Sequence, residues 1–361
     1  MLINSEPLDT LFFRNGKPFT KGEDYWSESI FPPYPSVFYG ALRTAYFAEK
    51  LGNFDLAGTE QDPTLSLKIR GIFLKAWNNY YFPLPLDLVK EKDNRENYVF
   101  PLQLQDAPCL SNCCVPKTLC APDQVVETIS DGLIDRETLR EYLENDTDKF
   151  FYASLKDFIT HEPKIGIALN EKHIADDQKL YRAAMLRLSL PWERGRENLQ
   201  CSFVIDCEGI DLPECGFLKL GGEGKATRYI RVREENETSL IPSCPVLDNR
   251  LFKLYLLTPT ILSNGWLPNW IDPNNLIGIY QGLKVKLLTA APGKYISIGG
   301  FDIKNGKPKP MVRAVPAGSV YYFELLEGEK ERVEQIFHYK PFEDNQYAKE
   351  GFGTVLVGKV E

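Results

Sequence analysis

The chain has 361 residues, 43% of them hydrophobic and 25% charged, which suits one large or two ordinary globular domains and excludes a disordered or collagenous chain. Lys and Arg number 42 against 50 Asp and Glu, a formal net charge of −8. Such acidity excludes a generic basic coat for nucleic acid. The opening MLINSEPLDTLFF has no basic stretch leading into a long apolar run, and no apolar window reaches the ~18 residues a membrane span needs. A cytoplasmic protein with no membrane contact is expected. Eight Cys in this length, two of them adjacent (Cys113, Cys114), read as reduced thiols rather than a disulfide framework.

Short apolar runs cut by Pro and Gly predict strands, many loops and few helices. PLDTLFF (7–13) reads as a strand and RNGK (14–17) as a turn. Ser36 is placed to N-cap a helix over 37–51, with Phe38, Leu42 and Ala45 on one face and Gly52 as the stop. Strands follow at 67–75 and 82–89. Residues 90–160 hold a Cys cluster and an acidic stretch: 121–149 carries a net charge of −6. Asp135 is an expected N-cap, with Leu139, Tyr142 and Leu143 on one face. This segment is expected to be an insertion on the first domain rather than a core element. KIGIALN and KLYRAAMLRLSL read as a hairpin with a long connection, and 201–206, 217–220 and 229–233 as strands around the turn GGEG (221–224). IPSCP (241–245) reads as a linker. Strands are expected again at 252–259, 283–290, 294–303, 319–326 and 354–360.

Several of these pieces in this order resemble a known family. FFRNGKPF, FPPYPSVFYGALRTAYF, KIGIALN, LYRAAMLRL, LGGEGKATRYIRV, YISIGGFDIKNGKPKPMVRAVPAGSVYYFE and the final GFGTVLVG are similar to the family of third subunits of the Cmr complex, a type III-B CRISPR effector. The likeness covers 7–51, 67–89, 164–233 and 252–360 and is weakest over 90–160. It implies an α+β protein of the RAMP superfamily: two ferredoxin-like (RRM-like) βαββαβ domains with insertions and glycine-rich loops, which the linker at 241–245 places at 1–245 and 246–361. It also implies a non-catalytic subunit that holds the 5′ tag of the CRISPR RNA. The partners implied are the large cyclase- or polymerase-like subunit and a RAMP backbone subunit.

The residues themselves carry chemistry that fits RNA. The stretch 284–313 has a net charge of +6 with Tyr295 and Phe301 interleaved, and cations beside aromatic faces suit phosphates and unpaired bases. Lys294, Lys304, Lys307, Lys309 and Arg313 are its expected RNA contacts. Residues 216–233 have a net charge of +4, with Lys225 and Arg228 expected at a phosphate-cradling turn. Arg14 and Lys17 form a smaller basic turn. Ser36 and Arg43 open the first helix, whose free N–H groups favour an anion, although a salt bridge would explain Arg43 equally. Gly351 and Gly353 are expected to let backbone N–H groups approach RNA closely.

Other motifs point away from catalysis. Gly353 to Lys359 spells the start of a phosphate-binding loop, but Val360 stands where a Ser or Thr must reach Mg²⁺, and the intervening TVLV is strand-forming. GGFD (299–302) keeps one carboxylate where a two-metal site needs several. His161, His173 and His338 form no recognisable constellation; the alternative reading is a RAMP endoribonuclease that cuts precursor CRISPR RNA with one of them. Cys109, Cys113, Cys114 and Cys120 have irregular spacing, which favours idle thiols over zinc. No cofactor or metal is expected.

Overall fold

The computed structural model describes residues 1–14, 26–27, 29–106, 115–121, 124–169, 175–189, 201–232, 240–302 and 306–360. The first strand, β1 (Leu2–Pro7), precedes the expected run. It alternates, but Ser5 occupies one of its inward positions, and there its hydroxyl is bonded to that of Thr227 at 2.7 Å. Residues 8–14 run on as irregular chain, with Leu11 exchanging both backbone hydrogen bonds with Leu186.

Helix α1 (Pro35–Glu49) buries Phe38, Leu42 and Ala45, as the spacing requires. Ser36 is not its N-cap. Pro35 has a fixed φ and no N–H to leave unbonded, so the helix starts there and Tyr34 takes the cap position without a side-chain bond. Nor does Gly52 stop it: the helix ends at Glu49, and Gly52 lies inside a 3-10 turn, Leu51–Leu56.

Strands β2 (Lys68–Ala76) and β3 (Asn79–Pro83) form a hairpin. Between 88 and 151, four short strands make a small sheet of their own. Strand β4 (Gly132–Asp135), helix α2 (Arg136–Glu144) and β5 (Ala153–Ser154) return to the main body. The Asp135 side chain accepts from the Thr138 N–H at 2.9 Å, capping α2. Within the segment expected to be a non-core insertion, 132–144 is core. β4 joins the main sheet against β3, and Leu139, Tyr142 and Leu143 are buried to about 1% exposure or less. The acidic residues of α2 mark only its outer face.

Strands β6 (Ile159–Leu169) and β7 (Ala175–Leu188) form the long hairpin. The chain then adds β8 (Ser202–Glu208), β9 (Cys215–Lys219) and β10 (Ala226–Val232). The first sheet is thus eight strands wide, in the order β5-β4-β3-β2-β8-β1-β10-β9. Its inner four, β2-β8-β1-β10, pair antiparallel, and α1 crosses between β1 and β2. No helix lies between β8 and β10.

The second sheet is built from β11 (Leu251–Leu256), β12 (Ile277–Tyr280), β13 (Leu283–Ala291), β16 (Val320–Glu327), β17 (Lys340–Pro341) and β18 (Thr354–Lys359). A separate two-stranded ribbon pairs β14 (Ile296–Ile298) with β15 (Val312–Ala314). The sheet order is β12-β13-β16-β11-β18-β17, and helix α3 (Glu331–Phe337) sits between β16 and β18 in the chain. The expected single strand over 294–303 is broken into β14 and a two-residue piece, Phe301–Asp302.

Each sheet has one face on its own helix. Ile3, Phe203 and Ile205 pack with α1, and Leu254, Phe323 and Val357 with α3. The opposite faces meet each other in one continuous core: Phe73, Phe82, Tyr142 and Val204 from the first part, Tyr255, Leu288, Tyr322 and Leu356 from the second. Fully burying each such side chain stabilises by about 1.5–3 kcal/mol, so this joint is strong. Among the described residues no helix is long and apolar enough to cross a membrane.

Candidate nucleic-acid interface

The ribbon β14–β15 and the described chain it carries, 299–302 and 306–311, stand out from the second sheet. Its inner side is anchored: Ile298 and Ala314 pack with Ile261 and Phe352, with Tyr34 against them. The Tyr34 hydroxyl also donates to the Ser297 carbonyl at 3.2 Å, tying the ribbon to the start of α1. The outer side carries Lys294, Lys307, Lys309 and Arg313, all exposed. Among the described residues none of the four has an acidic group within ion-pair distance. Exposed apolar side chains lie between them: Tyr295, Phe301 and Met311. Arg313 sits over the Tyr295 ring, 4.6 Å from its centre.

One acid approaches this surface. Glu350 is largely buried, which raises its pKa; Lys309, Lys349 and Arg43 act in the other direction. Four free cations spaced by exposed aromatic rings can neutralise phosphates and stack unpaired bases.

Other expected contacts are placed differently. Lys284 belongs to the same basic run but lies on β13, ion-paired with Glu327. Arg43 donates to Thr64 at 2.8 Å and pairs with Asp62, whose side chain is 1% exposed; its role is to hold the 58–64 turn. Lys225 donates to Asp9 at 2.8 Å. That pairing is the main cause holding the Asp9 carboxyl down at about 2. Asp9 also accepts from Arg187 at the base of the long hairpin. Two N–H groups of the GGEG turn are already used within the chain: that of Gly222 donates to Phe12 and that of Lys225 to Gly222. Arg228 is exposed on β10 and Arg14 is exposed beside Ser29. Ser36 is half-buried in the first turn of α1. Lys17 and Lys304 lie outside the described residues.

Gly351 and Gly353 are buried, with φ of +96° and +79°, so their backbone shape alone calls for glycine. A Cβ on Gly351 would lie 2.9 Å from Ile69, and one on Gly353 2.9 Å from Thr260. Their N–H groups already donate to Ala348 and Pro259. The glycines let this loop pack against β2; they do not offer amides to a ligand.

His338 is buried, its Nε2 3.0 Å from the Pro242 carbonyl and its Nδ1 accepting from the Val357 N–H at 3.2 Å. Burial holds its pKa below the usual value. His161 is exposed on β6, and His173 lies outside the described residues. So do Cys109, Cys113 and Cys114; among the described residues no group of three or more His, Cys, Asp or Glu could hold a metal.

Two features escaped the sequence reading. Phe217 is 65% exposed on β9. Asp87 is fully buried at the joint between the sheets, accepting from Tyr142 at 2.8 Å and Tyr322 at 2.5 Å. Neither belongs to a motif: one is a strand position whose outward side shows only in space, the other a lone acid in an apolar run.

This mostly-sheet, few-helix architecture is a fold already known among solved structures. It is similar to a chain in the cryo-EM structure of the type III-B Cmr-beta bound to cognate target RNA and AMPPnP, and to one in the structure bound to cognate target RNA. In each case the TM-score is 0.54 at 19% identity, covering 98% of this chain and 96% of the other. The sequence places it more closely: residues 3–360 match the model of the CRISPR-associated Cas_Cmr3 family, and the chain belongs to that family. No curated protein matches it.

Proposed function

We propose that this chain is an RNA-binding, non-catalytic structural subunit of a type III-B CRISPR effector, holding the 5′ tag of the CRISPR RNA in the cytoplasm. The observation that carries this is the ribbon surface, where Lys294, Lys307, Lys309 and Arg313 lie exposed and unpaired among Tyr295, Phe301 and Met311. Family membership and the likeness to chains of RNA-bound complexes support it. In this reading the two sheets are ferredoxin-like modules divided near 245/246. In each, four central strands keep the order 4-1-3-2, and each retains one of its two helices. The remaining surface docks the large cyclase-like subunit and a RAMP backbone subunit.

The test is RNA binding by the intact protein to a labelled tag-sequence RNA, followed by fluorescence anisotropy at several salt concentrations. Replacing Lys307 and Lys309 by Glu is expected to weaken binding strongly. Unchanged affinity would sink the assignment, and cutting of the RNA by the isolated chain would favour an endoribonuclease instead.

A further inference from the structure

The eight-stranded sheet is wider than the core that covers it. Over β2, β3, β4 and β8 its outer face is buried against the second sheet through Phe73, Phe82, Ile134 and Val204. At the β10–β9 end the same face is open. The alternation there is clean: Leu218, Leu220, Thr227 and Tyr229 point inward at 1% exposure or less, while Cys215, Phe217, Lys219, Arg228 and Ile230 point outward and are exposed. An open strand face is ordinarily polar. This one carries an aromatic ring at 65% exposure, directly opposite Arg228 in the antiparallel ladder, with Lys219 two residues along on the same side.

Neither cation has an acidic group within ion-pair distance among the described residues. The nearest acid in the row is Glu6, opposite Arg228 on β1, and its Oε1 accepts from Asn4 at 3.1 Å. The face therefore presents one π surface between two available positive charges.

We propose that this face is a second contact surface for unpaired RNA, in which Phe217 stacks a base and Lys219 and Arg228 take the flanking phosphates. It rests on the reading of the chain as an RNA-binding subunit, but it uses residues away from the β14–β15 ribbon. Charge decides between occupants. An apolar protein segment would cover Phe217 and Ile230 but leave two cations desolvated without partners, which is costly. A single strand of RNA supplies a base for the ring and anions for both cations.

The test measures binding of a fluorescein-labelled single-stranded octanucleotide to the intact protein by anisotropy. Four variants are compared: Phe217→Ala, Phe217→Trp, Lys219→Gln with Arg228→Gln, and Lys307→Gln with Lys309→Gln. Loss of a base stack is worth about 1–3 kcal/mol, so Phe217→Ala is expected to raise Kd roughly 5- to 150-fold, with Phe217→Trp retaining affinity. The Lys219/Arg228 pair should reduce the slope of log K against log salt by about 1.4. A 4-thiouridine crosslink on the unaltered protein should map to 215–219, which keeps the test independent of variant folding. If Phe217→Ala leaves Kd within about twofold while the Lys307/Lys309 variant weakens binding, this face is not an RNA surface and the proposed function stands. If no variant changes RNA binding, both readings fail. Unchanged RNA binding with lost co-purification of a partner subunit would make it a protein-docking face, and the inference is overturned.

Discussion

Replacing Asp87 by Asn perturbs the polar centre of the joint between the two sheets. Its carboxylate accepts from Tyr142 at 2.9 and 2.8 Å and from Tyr322 at 2.5 Å, all three groups being buried. It also acts electrostatically on Lys253, which is 3% exposed and lies 3.5 Å from the centre of the Tyr142 ring. Asparagine keeps one acceptor oxygen, which both hydroxyls can reach at the Oδ2 position, but the negative charge is lost and Tyr142 meets an NH₂ donor where Oδ1 stood. A bond to a charged group is worth about 1.5–3 kcal/mol against about 0.5–1.5 for a neutral one, so the two together lose about 2–3 kcal/mol. Burial already pulls the Lys253 ammonium down to about 8 from 10.5, a penalty of about 3 kcal/mol, and losing its counter-charge adds to it. Asp87→Asn should therefore destabilise by about 3–5 kcal/mol. Lys253→Met in the same background removes the stranded cation and should recover at least about 1 kcal/mol. Urea unfolding followed by circular dichroism measures both. A single variant within about 1 kcal/mol of the parent, or a double variant equal to the sum of the singles, would refute the argument. The sign of the pH effect is a further check. Lys253 binds its proton less tightly when folded, so stability should rise as pH climbs from about 8 toward 10, and Lys253→Met should abolish the rise.

Other outcomes follow from the same structure. Lys307→Gln with Lys309→Gln should lower the salt slope of RNA binding by about 1.4, measured by anisotropy, since each phosphate contact on a single strand contributes ~0.7. His338 is neutral in the fold with a lowered pKa, so its contribution is complete above its ordinary 6.5 and lost as pH falls from 6.5 through the folded value. Thermal melts across that window should show the fall, and His338→Gln should flatten it. Gly351→Ala forces a Cβ to 2.9 Å from Ile69 at φ +96°, and should destabilise by about 1–3 kcal/mol in the same urea assay. A urea transition unchanged from the parent would mean that the loop is not packed on β2.

Helix α1 and the cap of α2 were legible because local rules suffice: apolar residues at helical spacing bury one face, and Asp135 reaches an orphan N–H three residues on. β1 was misplaced because its inward Ser5 is satisfied by Thr227, 222 residues away, which no local pattern reveals. α3 carries little local signal, being seven residues long with no side-chain N-cap. The core role of 132–144 was hidden under the acidic residues of its outer face.

The sequence alone determined the family likeness, the concentration of positive charge over 284–313 within an acidic chain, and the absence of a complete phosphate-binding or two-metal motif. Those depend on residue type and order. Which cations are free was decided only in space. Arg43, Lys225 and Lys284 meet Asp62, Asp9 and Glu327, and so serve the fold. Lys294, Lys307, Lys309 and Arg313 project on a ribbon with no acid within ion-pair distance among the described residues, although Glu350 lies near enough to feel Lys309. A charge is available to a ligand only if folding leaves it unpaired. Its partners come from chain segments far apart in sequence, which only the tertiary structure brings together.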